Sequence, residues 1–111
     1  MLLFDNGTVR PDGGYYSRVI ELALDETAMT ATLTGAVDGF YSAGHGDADL
    51  LPDGERLQYV VGWADVPYVE EVAWPGGGVT WRLDCPETVE LYRATFFPSL
   101  YDRAWWYEVP R

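Results

Sequence analysis

The stretch Phe40–Gly62, FYSAGHGDADLLPDGERLQYVVG, decides how the chain is read. Asp53-Gly54 stands between two apolar-rich runs, Asp47–Leu51 and Arg56–Val61. Both residues tolerate positive φ, so the segment predicts a β-hairpin turning through Pro52-Asp53-Gly54-Glu55. Gly44 and Gly46 break the chain ahead of the first strand and put His45, the only histidine, in a loop.

Outward from this hairpin the pattern stays that of strands. Met1–Phe4 is a short apolar run that ends at the turn Asp5-Asn6-Gly7, and residues 8–15 read as loop around Pro11 and Gly13-Gly14. From Tyr16 the chain alternates. Tyr16, Arg18, Ile20, Leu22 and Leu24 share one face, and Ser17, Val19, Glu21 and Ala23 share the other. A turn at Asp25–Ala28 leads to a Thr-rich strand, Met29–Gly35, and a loop over 36–46 follows. Beyond the hairpin, Tyr68–Trp74 and Val79–Asp84 read as strands joined by the turn Pro75-Gly76-Gly77-Gly78. Cys85-Pro86-Glu87-Thr88 breaks the chain, Glu90–Phe97 reads as a strand ended by Pro98, and a last strand is expected near Trp105–Val109. No segment carries a sustained helical period, so the chain is expected to be all-β.

Bulk composition narrows the function classes. The 111 residues carry a formal net charge of −11, and all seven basic residues are arginine. Such a surface repels phosphate backbones and anionic lipid, so nucleic-acid and membrane-surface binding are not expected. An anionic small substrate would need arginines concentrated locally. Cys85 is the one cysteine, which rules out an internal disulfide and a cysteine-rich zinc site, and it reads as a buried thiol. The N-terminus has neither a basic segment nor a long apolar core, so no signal peptide is expected.

An internal repeat outweighs any single motif. Leu2–Gly7 resembles Leu57–Gly62 at an offset of 55, and Val19–Leu22 resembles Val69–Val72 at an offset of 50. A turn and a Thr-containing strand follow in each copy. Four-stranded units repeating at about 40–50 residues mark β-propeller blades. The chain is therefore expected to be a single partial propeller domain of about two blades. Residues 1–36 supply the outer strands of one blade, and 37–111 the following blade with closing strands. Such a piece would leave a sheet face and edges open to further blades or to self-association.

Several constellations invite other chemistry. Asp47, Asp49 and Asp53 suggest calcium, but their spacing departs from the calcium-loop pattern, and Asp53 reads as a turn former. Trp63, Trp74, Trp81, Trp105 and Trp106 could form a sugar-stacking face. Glu70 and Glu71 point to opposite sides of a strand and cannot converge as an acid–base pair. No metal or cofactor is expected.

The fragments LLFDNG (2–7), YSRVIELALDE (16–26), FYSAGHGDADLLPDGERL (40–57) and VELYRATFFPSLY (89–101) together resemble the C-terminal blades of the arylsulfotransferases. Each motif alone is weak; their order, and the terminal Arg93…Pro98-Ser99-Leu100-Tyr101, make the combination specific. The resemblance covers nearly the whole chain. It implies a six-bladed propeller that transfers a sulfuryl group from an aryl sulfate to a phenol through a transiently sulfated histidine. Further histidines and an arginine assist, and no nucleotide donor is used. It also implies a periplasmic or extracellular location. On this chain the implied catalytic positions are His45 and Arg93. The pattern departs in having one histidine, and Gly44-His45-Gly46-Asp47 does not reproduce the family's sulfated-histidine motif. The alternatives are a surface loop for His45 and an ion pair with Glu90 or Asp84 for Arg93. The competing function is a non-catalytic blade module that binds a protein partner or a glycan.

Overall fold

Alternating apolar residues and glycine-marked turns build strands alone among the described residues. A computed structural model describes residues 1–39 and 41–97. The strands are β1 (Leu2–Asp5), β2 (Ser17–Asp25), β3 (Thr30–Gly39), β4 (Gly46–Leu50), β5 (Arg56–Val61), β6 (Tyr68–Ala73) and β7 (Val79–Asp84). They form two antiparallel sheets of consecutive neighbours, β1-β2-β3 and β4-β5-β6-β7. The hairpin at the centre of the sequence is β4–β5. Its turn closes with Gly54 at φ 72° and Gly54 N donating to Leu51 O at 2.9 Å. Asp53 Oδ1 accepts from the Glu55 and Arg56 amides at 3.0 and 3.1 Å, so this carboxylate serves the turn.

Three expectations need correction. The loop over 36–46 is shorter than its glycines suggested, because β3 runs on to Gly39 and β4 begins at Gly46. Pairing along the full length of β2 overrides local propensity there. Glu90–Phe97 is not a strand. It crosses sheet two held by Leu91 N on Gly62 O at 3.1 Å and by Gln58 Nε2 on Ala94 O at 3.0 Å. Cys85 is half-buried rather than buried. The strand expected near Trp105–Val109, the motif Pro98–Tyr101 and Trp106 lie outside the described residues.

The two sheets repeat in detail. In β2·β3 the register shifts after Glu21, leaving Thr34 as the extra residue, and in β6·β7 it shifts after Glu71, leaving Thr80. Each threonine Oγ1 donates to the carbonyl of its glutamate at 3.2 Å, Thr34 to Glu21 and Thr80 to Glu71. Glu21 faces Leu2 across β1, whereas Glu71 faces Gln58 across β5. The first strands therefore correspond at an offset of 56 residues, one more than the sequence match gave. A slip of one residue exchanges the faces of a strand, so the correction sets which side chains are equivalent.

Those faces locate the core. Leu57, Tyr59 and Val61 on β5 share a face with Val72, Glu70 and Tyr68 on β6, and this face packs on Val19, Phe4 and Val37 of sheet one. Burying aliphatic and aromatic side chains at this junction contributes about 1.5–3 kcal/mol each. Gly46 lets the sheets close, since a Cβ there would stand 2.2 Å from Phe4 Cε1. The opposite face of sheet one, with Leu3, Ile20, Leu22, Leu24 and Leu33, is uncovered, and Leu24 and Leu33 are 52% and 54% exposed.

Candidate functional site

The loops joining β1 to β2, β3 to β4 and β5 to β6 gather at one end of the sheets, and His45 sits among them. Asn6, at the end of β1, donates through Nδ2 to Ser42 O at 3.0 Å and to His45 O at 3.3 Å. Ser17, at the start of β2, donates through Oγ to Asn6 O at 2.9 Å and accepts from Ser42 N at 2.8 Å. Ser42 Oγ points its single proton toward Gly44 O and His45 O, 2.5 and 2.8 Å away, and accepts from Trp63 N at 2.9 Å. Ser17 and Ser42 are fully buried, and a satisfied buried polar knot fixes a loop rigidly. It holds His45 at φ 43°, a left-handed conformation that costs a non-glycine residue about 1–3 kcal/mol.

The sequence singled out the motifs Phe4-Asp5-Asn6-Gly7 and Tyr16-Ser17-Arg18, and the structure gives each a positioning task. Asp5 accepts from Gly7 N at 2.9 Å and pairs with Arg18 at 3.0 Å and Arg10 at 3.2 Å. Burial opposes ionisation of Asp5, but the Gly7 amide and the two guanidinium groups outweigh it and hold the carboxyl below its ordinary value. Gly7 has φ 70°, with the Tyr16 carbonyl where a side chain would stand, so the loop over 8–15 folds back on itself. Asn6, Ser17 and Ser42 lie within those motifs and the His45 fragment, but sequence reasoning missed that they bind one another and hold the His45 loop. Pairs this far apart in the chain carry no spacing signal.

The His45 imidazole lies between two rings. Trp63 is 5.9 Å away, tilted by 39°, and Tyr92 is 5.7 Å away, edge-on. Its Nδ1 is shielded from solvent, makes no hydrogen bond, and stands 3.8 Å from Glu90 Oε2. A movement of roughly 1 Å would complete a His–Glu hydrogen bond. Arg93 Nε lies 3.2 Å from Asp47 Oδ2, so its partner is Asp47 rather than Glu90 or Asp84. That contact is close enough for an ion pair but lacks hydrogen-bond geometry, which leaves Asp47 Oδ2 without a hydrogen-bond donor. His45 and Asp47, the partner of Arg93, thus meet the 90–93 segment at the same end of sheet two. Gly62 permits it: a Cβ there would lie 1.8 Å from Leu91 O and 2.9 Å from His45 Cβ.

Behind the loops, between the sheets, runs a second polar cluster. Tyr59 Oη donates to Glu70 Oε1, and Arg82 Nη1 reaches Glu70 Oε2 at 3.3 Å. The Arg82 guanidinium lies 3.8 Å from the centre of the Tyr68 ring, and its Nε donates to Asp84 Oδ1 at 2.6 Å. Burial, and then the bond to Glu70, raise the Tyr59 phenol far above its ordinary value.

Among the described residues no group of three or more His, Cys, Asp or Glu could hold a metal ion. Nor is any helix long and apolar enough to cross a membrane. The tryptophans that could have formed one sugar-stacking face divide: Trp63 and Trp81 are exposed, and Trp74 packs against the core. Trp105 and Trp106 lie outside the described residues. The chain matches no protein-family model, no curated protein and no solved structure.

Proposed function

We propose that the chain is two successive blades of an arylsulfotransferase-like β-propeller, one blade lacking its inner strand, and that it contributes part of a sulfuryl-transfer site. The observation that carries the blade reading is the repeated bulge, Glu21 with Thr34 and Glu71 with Thr80, on sheets stacked in the same sense. By that equivalence Leu3, Ile20 and Leu22 occupy the places of Tyr59, Glu70 and Val72, which sheet one covers. The open face of sheet one is then the seat of a preceding blade. Sedimentation tests it. Exposed Leu24 and Leu33 drive concentration-dependent self-association of the isolated chain, and Leu33→Glu reduces it. A monodisperse wild-type monomer at all concentrations sinks the blade reading.

For the chemistry, His45 between Trp63 and Tyr92 suits an aryl group laid against the imidazole. An imidazole nitrogen lone pair attacks the sulfur, the bond from sulfur to the aryl oxygen breaks, and the phenolate leaves and takes a proton. A second phenol then attacks the same sulfur, breaking the bond to nitrogen and losing its proton. Positive charge on the sulfonate oxygens has to come from outside the described residues, because the described arginines, Arg10, Arg18, Arg56, Arg82 and Arg93, are all ion-paired. Transfer from an aryl sulfate to a phenol, assayed on the chain alone and together with whatever its gene encodes upstream, tests the reading. The expectation is no turnover alone, turnover in the longer protein, and its loss in His45→Ala. A fully active His45→Ala removes His45 from the mechanism, and inactivity of both forms favours a non-catalytic binding module. That second reading draws on the ion-paired arginines and on Trp63, 53% exposed at the loop end.

A further inference from the structure

Next to the His45 loop, on the other side of Trp63, the two sheets leave a groove of about 790 Å³. Its aromatic walls are Tyr15, Tyr41 and Trp63, and its polar residues are Asp65, Arg82 and Asp84. Tyr15 and Tyr41 stand 5.5 Å apart with ring planes at 82°, so they form two sides of a corner. Tyr15 is 77% exposed, and its ring is available to a ligand. Asp65 is exposed, and its carboxylate has no hydrogen bond or ion pair among the described residues. Among the described residues the one cation lining the groove is already engaged: Arg82 is bound to Asp84 and Glu70 and stacked on Tyr68.

We propose that this groove binds an organic ammonium ion, a site separate from any sulfuryl-transfer chemistry at His45. Ring faces carry negative potential, so perpendicular aromatic walls attract a cation that brings little hydration of its own. Asp65 adds a full negative charge at the rim, and the −11 net charge of the chain draws cations toward it from a distance. The engaged Arg82 offers nothing to an anion, and the same carboxylates repel one. A neutral sugar could stack on Trp63 but would gain nothing from the charge. Size agrees as well, since a groove of this volume accepts an alkylammonium group with a short tail.

The test compares choline with 3,3-dimethylbutan-1-ol, its uncharged isostere, by titration into the full chain with the Trp63 indole NH followed by NMR. Choline is expected to shift that resonance saturably, while the isostere binds at least ten-fold more weakly. Raising the salt concentration is expected to weaken choline alone. Tyr15→Ala and Trp63→Leu each lose about three- to thirty-fold in choline affinity, the range for one ring facing a cation. Asp65→Asn is a loop-surface change that leaves the amide spectrum dispersed, and it reduces the preference of choline over the isostere. Equal binding of the two ligands makes the groove a plain apolar cleft and overturns the proposal. So does preferential binding of glucose or cellobiose, or an Asp65→Asn chain with undiminished charge selectivity. None of these outcomes depends on whether His45 transfers a sulfuryl group.

Discussion

Tyr59→Phe removes one oxygen from the junction between the sheets and keeps the ring that packs there. In the native protein Tyr59 Oη donates to Glu70, whose carboxylate is nearly closed off from water and whose second oxygen reaches Arg82 at 3.3 Å. A hydrogen bond to a charged group contributes about 1.5–3 kcal/mol, and a buried carboxylate that loses a donor gets no replacement from solvent. The substitution is therefore expected to cost about 2 kcal/mol. With a urea dependence of about 2 kcal/mol/M, the unfolding midpoint falls by about 1 M. Tryptophan fluorescence reports it. Repeating the change on a Glu70→Gln background separates the bond from the packing, because the remaining neutral bond is worth about 1 kcal/mol. If Tyr59→Phe costs less than about 0.5 kcal/mol, or the same amount on both backgrounds, the Tyr59–Glu70 bond does not hold the junction as argued.

Three further expectations follow from the same geometry. In alkali, Tyr59 stays protonated well past 10.0, the value of an unburied phenol. Its folded value is raised, so its stabilisation is whole below the unfolded value and is lost as pH rises through the folded one. Tyr59→Phe should then leave phenolate absorbance of the native chain near pH 10 unchanged and lower that of the unfolded chain by about half a tyrosine. Asp5 behaves in the opposite sense: its folded value lies below 3.8, so its contribution is present above that pH and disappears as pH falls through the folded value. The stability gap between wild type and Asp5→Asn, measured by denaturation, should be full near neutrality and close in strong acid; a constant gap refutes the pairing with Arg10 and Arg18. Gly62→Ala drives a methyl group into Leu91 O and His45 Cβ, costing about 1–3 kcal/mol. It should move the His45 ring resonances, and unchanged resonances would mean that the 90–93 segment does not position His45.

Local chemistry made much of this protein legible. Period-two alternation placed β2, the Asp53-Gly54 turn placed β4–β5, and Pro75–Gly78 marked the turn before β7, because each signal lies within a few consecutive residues. The Glu90–Phe97 error has the same origin. Its aromatic-rich run up to Pro98 read as a strand, but among the described residues no strand offers it a ladder, and it is tied instead to Gly62 and Gln58. The repeat was visible in sequence with a register one residue off, and only the paired bulges corrected it.

Of the candidate site, sequence supplied His45 and Arg93 and the loop that carries the histidine. It could not supply the bonds of Asn6, Ser17 and Ser42, which fix that loop across separations of up to 39 residues. It assigned Arg93 partners near it in the chain, whereas Asp47 reaches it from another strand. By itself the sequence determined an all-β chain with a repeated unit, an acidic surface and a histidine in a glycine-broken loop. Tertiary structure alone decided which faces meet, that Glu70 is buried against Tyr59, and that Trp63 stands between His45 and an acidic aromatic groove. Turns and alternation are properties of neighbours in the chain, while burial, pairing and grooves arise only where distant segments meet.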